Sequence, residues 1–212
     1  MSTTATADNV TTVVPPAAGA EETVGVRPYR MSFDRYWAIV ASGALDKTRV
    51  FLWDGELLEK MPPGRPHSNC LYTLKAVFDR LLPAGFFAEQ EQPMALDGKY
   101  APQPDLKVVR GALGDYPSLP PAARDVPLAL EVADGSLRLD TGVVLRNYAA
   151  AGIPIYWIVN LNDRRVEVYA EPSGPSETPA YGRRDDYGPG DEVPVTIDGR
   201  EVGRVAVRDI LP

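Results

Sequence analysis

A single mixed-sheet α/β domain, bordering on α+β, is what this sequence predicts, and three observations predict it. The stretch 126–161 reads as strand, helix, strand, a crossover unit that makes part of the sheet parallel. Asp54-Gly55 and Asp198-Gly199 sit between short apolar runs, the signal of antiparallel hairpins. The length of 212 residues and an apolar fraction of 44% suit one domain with a substantial core.

Along the chain, residues 1–29 have no periodicity, a Pro15-Pro16 pair and mostly small residues, and are expected to form a disordered leader before a domain at 30–212. They lack the basic start and compact apolar segment of a secretory signal. Ser32 is a good N-cap for a helix from Phe33 to Ala41. The hairpin Val50–Glu59 follows and is ended by Pro62, Pro63 and Pro66. Leu71, Leu74, Val77, Phe78 and Leu81 recur at helical spacing and define an amphipathic helix over 67–82. Strands are expected at 86–96, 104–110 and 126–133, with a proline-rich loop from Pro117 to Asp125. Residues 139–151 suit a helix that begins at a capping Asp140 and is ended by Gly152 and Pro154. Ile155 to Leu161 is apolar enough for a central strand, and Asn162-Asp163 turns the chain into Val166–Ala170. Residues 172–191 are rich in Gly, Pro, Ser and charge and read as a mobile loop, with short strands after it.

Bulk properties narrow the function. The net charge is −7, and the first thirty residues (Asp8, Glu21, Glu22, Arg27, Arg30) carry −1 of it, leaving −6 on the body. Such a balance argues against a broad, sequence-independent DNA-binding face; a nucleic-acid groove would be local. Cys70 is the one cysteine, which excludes an internal disulfide and a cysteine-based zinc site. No apolar run reaches the length of a membrane span, and a cytoplasmic location follows as the expectation. Phosphate-cradling loops, dinucleotide fingerprints, His-Glu-x-x-His helices and nucleophile elbows are missing from the sequence.

Two acids stand out because each is planted in an apolar strand: Asp105 in Gln103-Pro104-Asp105-Leu106-Lys107, and Glu131 in Leu128-Ala129-Leu130-Glu131-Val132-Ala133. A carboxylate in such surroundings is costly to desolvate unless it is paired or binds a metal. Brought together at one end of a sheet, the two would hold Mg²⁺ or Mn²⁺ for phosphodiester chemistry. Alternation puts Lys107 on the same face as Asp105. Glu56 could add a third acid. His67, the only histidine, opens the first long helix and could shuttle a proton or contact a phosphate.

Pro104-Asp105 followed by Glu131-Val132-Ala133 resembles the PD-(D/E)XK nuclease superfamily. A longer series is more specific: Asp54-Gly55-Glu56-Leu57, His67-Ser68, Pro104-Asp105, Glu131-Val132-Ala133-Asp134, Asp140-x-Gly142, Tyr148 and Ala151-Gly152-Ile153-Pro154-x-Tyr156-Trp157-Ile158-Val159. In that order they resemble the Uma-two family of restriction-endonuclease-like proteins, from about Met31 to the C-terminus. The resemblance implies a mixed central sheet flanked by helices, a divalent metal on Asp105 and Glu131, support from Glu56 and His67, and nucleic acid, DNA first, as substrate. It also implies a lysine beside the acids. The superfamily position for it is Ala133, and the family position, on the following helix, is Val144. Lys107 is the favoured replacement. Arg146, about 200° around the helix from Val144, is the poorer one. Without a replacement, the chain would be a catalytically impaired nuclease fold serving as a nucleic-acid-binding, regulatory or assembly module. A homodimer through apolar sheet-edge surface is a further expectation.

Overall fold

The structure, a computed structural model, describes residues 27–212; residues 1–26 of the expected leader lie outside the described residues. Its centre is a six-stranded sheet in the order β3-β4-β5-β6-β7-β8, built from β3 (Phe86–Gln90), β4 (Leu106–Arg110), β5 (Leu128–Ala133), β6 (Ile155–Asn160), β7 (Arg165–Pro172) and β8 (Tyr181–Tyr187). Only β5 and β6 run parallel; the other neighbours are antiparallel. This is the expected mixed sheet, with the predicted crossover at its centre. All six residues of β5 are buried, as befits a strand covered on both faces.

One face of the sheet carries Leu106, Val108, Leu128, Leu130, Trp157 and Val159. It is covered by α2 (Arg65–Leu81) and by the hairpin β9 (Glu192–Ile197) and β10 (Arg200–Ala206) with the short α5 (Val207–Ile210). Phe78 of α2 meets Trp157 edge-on at 5.7 Å between centroids. The opposite face presents Ala129, Ala133, Tyr156, Ile158 and Tyr169 to the helical segment after β5. That segment consists of α3 (Leu137–Leu139), a π-helical turn (Asp140–Val144) and α4 (Leu145–Ala150). A third cluster of Tyr36, Leu52 and Ala101 joins α1 (Phe33–Ala41) to the separate hairpin β1 (Val50–Trp53) and β2 (Glu56–Glu59). Asp54 and Gly55 at its tip have φ of 47° and 76°, the left-handed pair that a two-residue hairpin turn requires.

Three expectations are corrected. Residues 172–191 are not a loop throughout, because they contain β8, an edge strand whose charged side chains hid its pairing with β7. The strand expected over 86–96 ends at Gln90. Asp140 is not an N-cap; it lies inside the helical segment with αR backbone, and its carboxylate accepts a hydrogen bond from Ser136 Oγ at 2.6 Å.

Candidate active site

The register of β4 on β5 sets Leu106 against Leu130. One step further, Asp105 lies across from Glu131, on the face opposite Leu106. The Asp105 amide donates to Glu131 Oε2 at 3.2 Å. Asp105 Oδ2 in turn accepts from the Val132 amide at 2.8 Å and lies 2.9 Å from His67 Nε2 at the start of α2. Glu131 Oε1 accepts from Tyr148 Oη of α4 at 2.9 Å. The two acids are therefore held by backbone and side-chain donors from both layers that sandwich the sheet.

A cation completes the group. Lys60, the residue after β2, donates its ammonium to Asp105 Oδ1 and reaches the Gln103 carbonyl at 3.3 Å. Its backbone amide is tied to the Arg49 carbonyl at 2.7 Å, across the mouth of the hairpin. Lys60 keeps 25% of its side chain exposed, against 3% for Asp105, so it forms the solvent-facing side of the pair.

The electrostatics follow from this placement. Burial alone would raise Asp105, but the His67 hydrogen bond and the Lys60 charge outweigh it and bring its carboxyl down to about 2. Glu131 has the opposite balance. Burial, and then the neighbouring Asp105 charge, push it well above the carboxylate range, with Lys60 and Tyr148 only partly offsetting them. Asp140 is pushed up to about 7 by burial, against the Ser136 hydrogen bond, with the Asp105 charge adding to the rise. For Lys60, burial disfavours the ammonium, but Glu131 and Asp105 outweigh it and raise its pKa. Cys70 is nearby and buried, and burial pushes its thiol to about 12, which leaves it unsuited to act as a nucleophile.

Of the residues singled out from sequence, Asp105, Glu131 and His67 are brought together and two others are not. Lys107 does share the face of Asp105, but its fully buried ammonium binds the Gln92 carbonyl at 2.8 Å and lies 2.7 Å from Glu89 Oε2. Glu56 pairs with Arg30 at 2.9 Å on a half-exposed surface. Ala133 and Val144 are both buried among apolar neighbours. Sequence reasoning missed Lys60, Tyr148 as a partner of Glu131, and Asp140 as a buried acid. Asp140 and Tyr148 carried a signal, both standing in the family series and in phase with Val144 along the helix, whereas Lys60 carried none.

Ions of the Mg²⁺ type are commonly held by one or two carboxylates with water and substrate phosphate completing the shell, and Asp105 and Glu131 are donors of that kind. Among the described residues no group of three or more His, Cys, Asp or Glu is arranged to hold a metal ion.

Two acids thus face each other from neighbouring strands of a mixed sheet that carries helices on both sides. Residues 40–198 match the family Uma2, described as "putative restriction endonuclease", and the chain belongs to that family. Among solved structures, a "putative nuclease belonging to DUF820" from Anabaena variabilis ATCC 29413 is similar in fold. It has a TM-score of 0.56, covering 76% of this chain and 88% of that one, at 15% identity. No curated protein matches the sequence.

Proposed function

We propose that this protein is a metal-dependent endonuclease that hydrolyses phosphodiester bonds of nucleic acid, DNA in the first place. The observation that carries this reading is the buried cross-strand pair of Asp105 and Glu131, joined through the Asp105 amide, in a chain of a restriction-endonuclease family. The two carboxylates would hold Mg²⁺ or Mn²⁺. When bound, such an ion polarises the scissile phosphate and lowers the pKa of an attacking water. Tyr148 and the Asp105 amide fix both oxygens of Glu131. His67 sets Nε2 against Asp105 and in this way orients that carboxylate. Among the described residues no helix is long and apolar enough to cross a membrane; a cytoplasmic site of action suits such a substrate.

A second reading, an impaired nuclease fold that binds nucleic acid without cutting it, is favoured by one observation. Asp105 already has the Lys60 ammonium on one carboxylate oxygen and His67 Nε2 beside the other.

Plasmid and single-stranded DNA incubated with Mg²⁺ or Mn²⁺ separate the two. The wild type is expected to nick one of them only with metal, and Asp105→Asn and Glu131→Gln to lose about a hundredfold or more, equal to about 2.7 kcal/mol of barrier. Unchanged cleavage by both variants would remove the acids from the mechanism. A wild type that binds Mn²⁺ and DNA without cutting favours the second reading.

A further inference from the structure

Hydrolysis of a phosphodiester builds negative charge on the phosphate, and a positioned cation that meets this charge is worth far more in a partly water-excluded site than in solution. Acids alone cannot supply it. Among the described residues, the cationic side chains in contact with either acid are Lys60 and, when protonated, His67. His67 is buried and turned onto Asp105. Lys107 is consumed by Glu89 and the Gln92 carbonyl, and Arg49 by Glu91 at 2.6 Å. Lys60 alone combines contact with the acid pair and an open side.

We propose that Lys60 is the phosphate-facing cation of this site, supplied by the β1–β2 hairpin rather than by β5 or the helix after it. The assignment rests on the nuclease reading above. Lys60 neither gives nor takes a proton in this role; its charge stabilises the phosphate as the water–phosphorus bond forms and the ester bond breaks.

The placement of Lys60 is built rather than incidental. The segment that leads into Asp105 also pins the hairpin: the Ala101 amide donates to the Leu52 carbonyl at 2.9 Å, and Gln103 Nε2 to the Val50 carbonyl at 3.3 Å. The Gln103 carbonyl then receives the ammonium itself. Pro62 and Pro63 stiffen the chain just after Lys60. A surface lysine at a hairpin end would need none of this.

A competing role is conceivable on the same contacts: an ammonium that merely plugs the position a metal ion would take. The two roles predict opposite results for Lys60→Met, which keeps an unbranched chain one atom shorter and removes its charge. We would measure Mn²⁺ affinity by titration calorimetry, melting temperature, and single-turnover cleavage for the full chain, Lys60→Met, Lys60→Arg and Lys60→Met/Val144→Lys. Position 144 is chosen because it stands one helical turn from Tyr148, which touches Glu131.

If Lys60 is the phosphate-facing cation, Lys60→Met stays folded, binds Mn²⁺ at least as tightly as the wild type, and cuts about a hundredfold more slowly. Lys60→Arg retains most of the rate, and the lysine at 144 restores at least about tenfold of what was lost. Cleavage by Lys60→Met at or above the wild-type rate overturns the assignment, and tighter Mn²⁺ binding alongside it identifies the plug. A wild type that cuts nothing under any metal overturns the nuclease reading itself, and this assignment with it. A cutting wild type with an equally active Lys60→Met overturns the assignment alone.

Discussion

Lys107→Ala is expected to destabilise the protein by about 3–5 kcal/mol, the cost of removing one partner of a buried ion pair. Lys107 is fully buried, and its cross-strand neighbour Glu89 has only 17% of its side chain exposed. Burial holds the ammonium below the ordinary lysine range, against the pull of the Glu89 charge. Taking the lysine away strands both the carboxylate and the Gln92 carbonyl. Replacing both partners, Lys107→Met with Glu89→Leu, is expected to recover much of the loss, because the desolvation cost of a buried pair can match or exceed its mutual attraction. Urea unfolding of the two variants is the check; a midpoint for Lys107→Ala that translates to less than about 1 kcal/mol would contradict the buried pair. The result matters for function as well. A cleavage defect in Lys107→Ala reports on the folded fraction, whereas a folded Lys107→Met is expected to cut normally.

The second large effect is on pH dependence. Asp140 rises from 3.8 to about 7 in the folded protein, so the native state holds its proton more tightly than the unfolded chain does. Its contribution is fully present below about pH 4 and is lost as pH climbs towards 7, with an upper bound of roughly 4 kcal/mol. Glu131, also raised, acts in the same direction. Asp105 has the opposite sign: lowered to about 2, it stabilises above the unfolded value of 3.8 and loses that as pH falls towards 2. The wild type should therefore be more stable near pH 5 than at pH 8. Asp140→Asn keeps an acceptor for Ser136 Oγ and has no charge to bury. Its melting temperature is expected to exceed the wild type's at pH 8 and to match or fall below it at pH 5. Parallel melting curves for the two proteins across that range would rule the explanation out.

The contrast between Asp105 and Lys60 shows what sequence can convey. An acid inside an apolar strand conflicts with its surroundings, and that conflict is visible in a single line of residues. Lys60 follows an alternating hairpin, where a lysine conflicts with nothing, and its meeting with Asp105 depends on how a separate hairpin docks. Lys107 shows the limit of alternation. The face was legible, but the direction of a long side chain is decided by the partner across the ladder, and the pairing of β3 with β4 is a tertiary fact. Glu56 failed similarly, since Arg30 lies 26 residues away and meets it only through the fold. The parallel centre of the sheet was legible because continuous burial leaves continuous apolar runs. β8 was not, because one side of an edge strand faces water and tolerates a composition that reads as loop.

That same strand governs how the molecule behaves in a crowd. An open sheet edge is a template on which another chain can add a strand and start an aggregate. The outermost strand here runs Arg183-Arg184-Asp185-Asp186 through its middle, with Arg183 engaged by Glu171 and Asp185, and Arg184 by Glu167 and Asp186. A newcomer would have to strip water from four charges that already have partners. Charge thus blunts this end of the sheet against propagation.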